Sequence, residues 1–277
     1  MKYVPGLVFF LLFVILAVTI AKPASAIPAA SFTQQNGDWY DNWDIDRNDA
    51  GYSGEFPGYL PNLASETLGD NKELAYILGQ QFESQYTNNT GCAVAILKYV
   101  QTWTYYAYDS DTFVRNGVAQ DEWAQNADEF AHAFNQSTGV KAPGDCEDMA
   151  FLCATIYAGA GFDAAVVDAP DHVACLIWLP EFSDASDYWD LNDGRGAGWI
   201  WVEATGNTNP LGWTPSDYED GQWTAYQINS TPYTDHSPTT SQPGSSSNDN
   251  TDTLGIIVFV VLAIIVGAIR LRRRSYY

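Results

Sequence analysis

The stretch Pro143-Gly144-Asp145-Cys146-Glu147-Asp148 constrains this chain most, because it joins a turn to a helix start and sets a thiol at the joint. Asp145 is a favourable N-cap residue, and Asp148, three positions on, can close a capping arrangement, which makes Cys146 the first helical residue. Met149, Leu152, Cys153 and Ile156 follow at helical spacing as a buried stripe. Unpaired amides and the dipole at a helix start favour thiolate over thiol. The flanking carboxylates oppose it, so the pattern calls for a cationic partner.

The sequence downstream supplies one. The helix ends near Gly159–Gly161, Phe162–Val167 reads as a strand, and the turn Ala169-Pro170-Asp171 delivers His172 to the head of a second strand, Val173–Leu179. After an acidic, Gly-bearing insertion, Glu181–Gly198, a third strand, Trp199–Thr205, carries Glu203 near its end. On adjacent antiparallel strands His172 and Glu203 can come within hydrogen-bonding reach, with the helix start packed across them. The order is nucleophile, base, orienter.

Upstream, Leu74, Ile77, Leu78 and Phe82, then Val94, Leu97, Lys98, Gln101 and Tyr105, fall at three- and four-residue intervals. They predict two helices interrupted around Asn88–Gly91. A third helix is predicted over Gln120–Phe134, with Trp123, Ala127, Phe130, Ala131 and Phe134 on one face and His132 as a structural residue.

The segments Gly144–Ala150, His172-Val173-Ala174 and Trp201–Thr205 together resemble the core of the transglutaminase-like superfamily of papain-type thiol enzymes. Tyr99–Asp109 and Asp121–Glu129 are similar to the helical lead-in of its prokaryotic members. The likeness runs over about Asn71–Thr205 and is most specific at the cysteine motif. It implies an α+β fold, helices packed on an antiparallel sheet, with Cys146 as nucleophile, His172 as general base and acid, and Glu203 as orienter. The family usually carries Asp at the third position, and Glu203 is one methylene longer. The Cys146 amide is the expected first oxyanion donor, and Trp103, Tyr105 and Trp123 are the candidates for a side-chain donor. The implied activity is attack on a protein amide through a thioester, without a cofactor. Hydrolysis as a cysteine protease is preferred, with protein-glutamine transamidation as the alternative.

Charge bears on partners. All 34 Asp and Glu lie between Ile27 and Thr253, against only Arg47, Lys72, Lys98, Arg115, Lys141 and Arg195. Nucleic acid is thereby excluded as a partner, since phosphate binding needs a basic surface. Ten Trp and seventeen Tyr carry too much apolar surface for a disordered chain.

The ends point to a membrane. Residues 1–26 read as a secretory signal cut after Ala26, with an uncleaved anchor as the alternative. Residues 27–70 form an acidic, aromatic-rich extension, 71–228 the transglutaminase-like domain, and 229–253 a Ser/Thr/Pro-rich stalk. Residues 254–270 read as a transmembrane helix and 271–277 as a basic cytoplasmic tail, which places the domain outside the cell, near a protein or peptide substrate at its surface. Three sequons, beginning at Asn88, Asn135 and Asn229, fit that topology.

Within the extension, Asp44-x-Asp46-x-Asn48 with Glu55 at the twelfth position matches the ligand spacing of a calcium loop. The sixth position is Asp49 in place of Gly and no amphipathic helix flanks it, so an ordinary acidic turn is the competing reading. Two further readings stand against an enzyme: a catalytically inactive binding domain of the same fold, and a calcium-dependent adhesion module. Cys153 and Cys175 both point to the core, where they can form a disulfide or stay buried thiols.

Overall fold

The computed structural model describes residues 31–41, 44–48, 63, 74–228, 239–240 and 242–243. The signal segment, most of the stalk, the predicted membrane helix and the tail lie outside these. Among the described residues no helix is long and apolar enough to cross a membrane.

The architecture is α+β. A hairpin, β1 (Phe32–Gln35) and β2 (Asp38–Asp41), precedes helices α1 (Leu74–Gln85) and α2 (Asn89–Trp103). Then come β3 (Thr104–Tyr106), the one-turn helix α3 (Asp109–Thr112), the short ladder β4 (Val114–Arg115) with β5 (Val118–Ala119), and helix α4 (Ala127–Ala133). Strand β6 (Ala142–Gly144) leads into α5 (Cys146–Gly159). The sheet strands follow: β7 (Ala164–Ala169), β8 (His172–Trp178), β9 (Trp189–Asp190), β10 (Trp199–Val202), β11 (Thr224–Ile228), β12 (Thr239–Thr240) and β13 (Gln242–Pro243). They pair antiparallel in the order β12-β11-β7-β8-β10-β9-β13.

Helix α5 is the hub. Every residue from Cys146 to Tyr157 is buried, because α1, α2 and α4 pack around the helix on one side and the sheet on the other. The predicted stripe is therefore part of a helix that is apolar nearly all round. Glycines permit the closest approach. A Cβ on Gly79 would collide with the Ile156 carbonyl oxygen, and one on Gly159 with that of Tyr76, so α1 and α5 meet backbone to backbone.

The sheet is covered on both faces, which explains its continuous apolar strands. Val166, Val173, Cys175, Ile177, Ile200 and Val202 face the helices. On the reverse face Val167, Leu176, Trp189, Trp199, Trp201 and Trp223 form a second, tryptophan-rich core. All four cysteines are buried and free.

Two elements differ from the sequence expectation for identifiable reasons. The third helix begins at Ala127 instead of Gln120, because the preceding backbone amides have tertiary partners. Trp123 N donates to Asp109 Oδ2 at 2.5 Å, Ala124 N to Arg47 O at 3.0 Å and Gln125 N to Asp148 Oδ1 at 2.8 Å. Asn126 then starts the helix through a capping box with Glu129. Tyr105, placed by periodicity on the second helix, lies on β3, where Thr104–Tyr106 pair in parallel with Ala142–Gly144.

Candidate active site

Cys146 is the first residue of α5, as the turn signal predicts, but the cap differs. Asp145 occupies the N-cap position in an extended conformation and its side chain makes no capping hydrogen bond. Asp148 does not close a box either. Both its oxygens are taken by Gln125, through the backbone amide at 2.8 Å and Nε2 at 2.7 Å. The acids of the motif are thus turned away from the helix amides and into the protein.

Strand pairing brings the other two residues together. In the β8–β10 register Val202 faces Cys175 and Trp201 faces Leu176. His172 and Glu203 continue the same face of the two strands as Leu176 and Trp201, one diagonal step apart. His172 Nε2 lies 2.9 Å from Glu203 Oε2. Cys146 is, with Glu203, the neighbour that acts on the ring. With Nε2 engaged by Glu203, Nδ1 is the nitrogen left for the sulfur.

The extra methylene of Glu203 is accommodated by a full set of partners. Its Oε2 also accepts from Trp201 Nε1 at 3.2 Å, and its Oε1 accepts from Thr205 N at 3.1 Å and Thr205 Oγ1 at 2.5 Å. Gln101 Nε2 donates to the Glu203 carbonyl at 3.3 Å and to that of Asn209 at 3.0 Å, which fixes the backbone. Burial alone would raise the Glu203 pKa, but the bonds to His172, Thr205 and Trp201 hold it below the usual carboxylate range. Burial likewise works to lower His172. Hydrogen bonds to Cys146 and Glu203, with the charges of both, outweigh it and push His172 up to about 10.

One participant escaped the sequence reading. Tyr218, on a 3-10 turn at Ser216–Tyr218, stacks on His172 with ring centroids 5.3 Å apart and planes 11° from parallel, and on Trp201 at 5.5 Å and 8°. Its hydroxyl donates to the Pro170 carbonyl at 3.3 Å. Burial and the charges of Cys146 and Glu203 push its pKa up to about 12. No local pattern announces this residue, which arrives from beyond the last predicted strand.

The oxyanion candidates separate. Trp103 ends α2, half-buried. Tyr105 is exposed, opposite Pro143. Trp123 is buried with its ring against Phe32, Phe113 and Arg115, on the side of the N-terminal segment. The neighbour of Tyr105, Tyr106, pairs with Gly144, and burial, followed by the Cys146 charge, raises its hydroxyl pKa.

Carboxylates crowd the same helix start. Glu147 Oε2 lies 3.4 Å from Cys146 Sγ and accepts from it. Glu147 also shares a side-chain hydrogen bond with Asp145. Burial, then mutual repulsion, raises Glu147 and Asp148, and raises Asp109 to about 8.

In the N-terminal extension, Asp46 Oδ1 accepts from Asn48 N at 2.9 Å, Asn48 Oδ1 from Trp39 N at 2.8 Å, and Asn48 Nδ2 donates to Glu122 O at 2.6 Å. Asp44 takes a left-handed turn conformation at φ 65°. These bonds are those of a turn fastened to the segment before α4, and Glu55 lies outside the described residues. Among the described residues, the carboxylates near enough to share an ion are those around Asp109.

No protein-family model matches the sequence, and no curated protein matches it. Two solved structures are similar. One is described as a putative protease from Parabacteroides distasonis, with 10% identity, a TM-score of 0.35, and coverage of 65% of this chain and 30% of that one. The other is described as a putative cysteine protease from Cytophaga hutchinsonii, with 14% identity, a TM-score of 0.29, and coverage of 64% and 52%. The chain thus spans about a third and about half of these two proteins.

Proposed function

We propose that this chain is a transglutaminase-like thiol hydrolase that cleaves protein or peptide amides through Cys146, His172 and Glu203. The observation that carries this reading is the His172 Nε2–Glu203 Oε2 contact at 2.9 Å, on a ring that a cysteine at a helix N-terminus also acts upon.

In the reaction, Cys146 Sγ, which donates to Glu147 Oε2 at rest, passes its proton to His172, attacks the carbonyl carbon and opens the C=O bond to a tetrahedral oxyanion. The Cys146 amide is one donor to that oxygen, and the Tyr106 hydroxyl, protonated at neutral pH, joins Trp103, Tyr105 and Trp123 as a candidate for the second. His172 then gives its proton to the leaving amine as the C–N bond breaks, and a thioester remains. Water, deprotonated by His172, attacks the thioester, releasing the acid and returning the thiol. Glu203, oriented by Trp201 and Thr205, keeps the imidazole in one orientation throughout. The activity belongs at the outer face of a membrane, with the 254–270 segment as its anchor.

Incubation of the full chain with a denatured protein and a fluorescent primary amine tests this. New N-termini without incorporated amine, lost in Cys146→Ala, are expected. Amine incorporation in place of cleavage would redirect the reading to transamidation, and neither product would leave an inactive binding domain.

A further inference from the structure

Large apolar side chains are exposed unevenly over the molecule. Nine are exposed among the described residues, and five of them, Tyr105, Tyr106, Tyr108, Val114 and Val118, fall in one stretch of chain at 44–64% exposure. Single exposed apolar residues are ordinary, whereas a run of them marks a surface that something covers. The stretch has its own inward anchors. Thr104 is buried on β3, Asp109 on α3 accepts from the Trp123 amide, and Phe113 stacks on Trp123 with ring centroids 6.0 Å apart. Asn116 and Gly117, at φ 51° and 81°, close β4 on β5 as a tight hairpin. Alternation along β4 lays Arg115 over Phe32 and Trp123, 4.2 Å from each ring centroid, and turns Val114 to solvent. The outward residues are therefore held outward by a fixed backbone.

This surface adjoins the nucleophile. Tyr106 pairs with Gly144, two residues before Cys146, and its ring meets that of Tyr108 edge-on at 5.5 Å. Among the described residues β3 pairs with β6 alone. Ala107 N donates to Gly144 O at 3.0 Å, so by alternation the amide and carbonyl of Tyr106 face the edge away from β6, where an extended backbone can add. Charge narrows what can cover it. Asp111 and Asp121 are exposed beside the run, while the cations nearby are Lys141 and the already stacked Arg115. With 34 acids in the chain against six Lys and Arg between Ile27 and Thr253, an anionic lipid surface or a second copy of this chain is repelled and a cationic partner is attracted.

We propose that the surface from Tyr105 to Val118 docks an extended, cationic polypeptide segment with apolar side chains and presents it to Cys146. Tyr108, Val114 and Val118 supply apolar contact, Tyr106 supplies the strand edge, and the acids around them admit Lys or Arg and reject Asp or Glu. That this polypeptide is the substrate rests on the proposed hydrolysis; that it binds here does not.

The test is fluorescence anisotropy of a labelled peptide of repeating Lys-Leu-Gly with the full chain carrying Cys146→Ala, so that binding is read without turnover. At physiological salt this peptide is expected to bind at least about tenfold tighter than repeating Glu-Leu-Gly, which reverses the charge, and than repeating Lys-Ser-Gly, which removes the apolar side chains. Tyr108→Ser, Val114→Ser and Val118→Ser combined should weaken binding at least about fivefold at an unchanged unfolding temperature, while Val94→Ser, on exposed surface of α2, should bind as the parent does. Equal affinity for the three peptides, or unchanged affinity in the combined variant, would overturn the surface. So would displacement of the peptide by phosphatidylcholine vesicles, which assigns it to a membrane, or a dimer in sedimentation that the combined variant loses, which assigns it to a second copy. Should the combined variant fail to fold, Val118→Ser alone carries the test, and unchanged affinity there overturns the proposal. Cleavage of the Lys-Leu-Gly peptide by the parent, with binding indifferent to these residues, would sink the surface and spare the reaction; binding that depends on them, without cleavage, supports the surface and counts against the reaction.

Discussion

His172 sits at a strand end where any polar residue would be accepted, and what distinguishes it is company on every side. Glu203 holds Nε2, the Cys146 thiol acts on the ring, and Tyr218 covers its face. Stacking of a cation on an aromatic face is worth about 0.5–1 kcal/mol at exposed sites and about 2 kcal/mol when desolvated, enough to fix ring orientation. Tyr218→Ala is therefore expected to slow alkylation of Cys146 about tenfold and to move the His172 limb of its pH profile to lower pH, while Tyr218→Phe, which keeps the ring, stays near the parent. Mass-mapped labelling from pH 5 to 10 measures both. The positions of Cys146, His172 and Glu203 at element boundaries could be read from the sequence because helix or strand periodicity stands beside each. Those of Tyr218 and Tyr106 could not, since they follow from a stack and a parallel pairing between segments distant in the chain.

At the scale of elements, the packing of α5 sets the tolerances. Gly159→Ala, at the crossing with α1, should cost about 1–3 kcal/mol by forcing two backbones apart, read as a lower denaturation midpoint at unchanged slope. Strand β7 carries a different liability. Asp168 is 7% exposed on it, and burial raises its pKa to about 7. A carboxyl whose folded pKa lies above its unfolded one stabilises fully below about pH 3.8, and that contribution is lost as pH rises through about 7. Asp168→Asn is thus expected to leave stability at pH 4 nearly unchanged and to raise it at pH 8, measured by denaturant titration at both. Strand and helix periods placed α1, α2, α5, β7, β8 and β10 to within a few residues. They failed over 120–126, where apolar spacing looked helical but the amides of Trp123, Ala124 and Gln125 are taken by Asp109, Arg47 and Asp148. The expected cap on α5 failed for a related reason: Asp148 is a tertiary acceptor, and local sequence does not disclose one.

The described part of the molecule is bound to its N-terminal segment by charge as well as by apolar contact. Arg47 is fully buried, pairs with Asp41 and Glu129 at 2.8 Å each, and donates to the Ala124 carbonyl at 2.6 Å. Removing one partner of a buried ion pair leaves the others uncompensated. Arg47→Ala should destabilise by about 3–5 kcal/mol, and a chain beginning at Asn71 should unfold at lower temperature than one beginning at Ile27. Calorimetric melting of the three compares them directly. Most of the acidic residues lie in the described part, and the predicted anchor segments lie outside it.

All of these scales converge on whether Cys146 is an activated nucleophile, and its second-order rate of alkylation by iodoacetamide at pH 7 answers that most directly. The account predicts selective labelling of Cys146 over Cys92, Cys153 and Cys175, at a rate that falls at least about tenfold in His172→Ala and in Glu203→Gln. Labelling of Cys146 no faster than in the unfolded chain, or unchanged by His172→Ala, would contradict it.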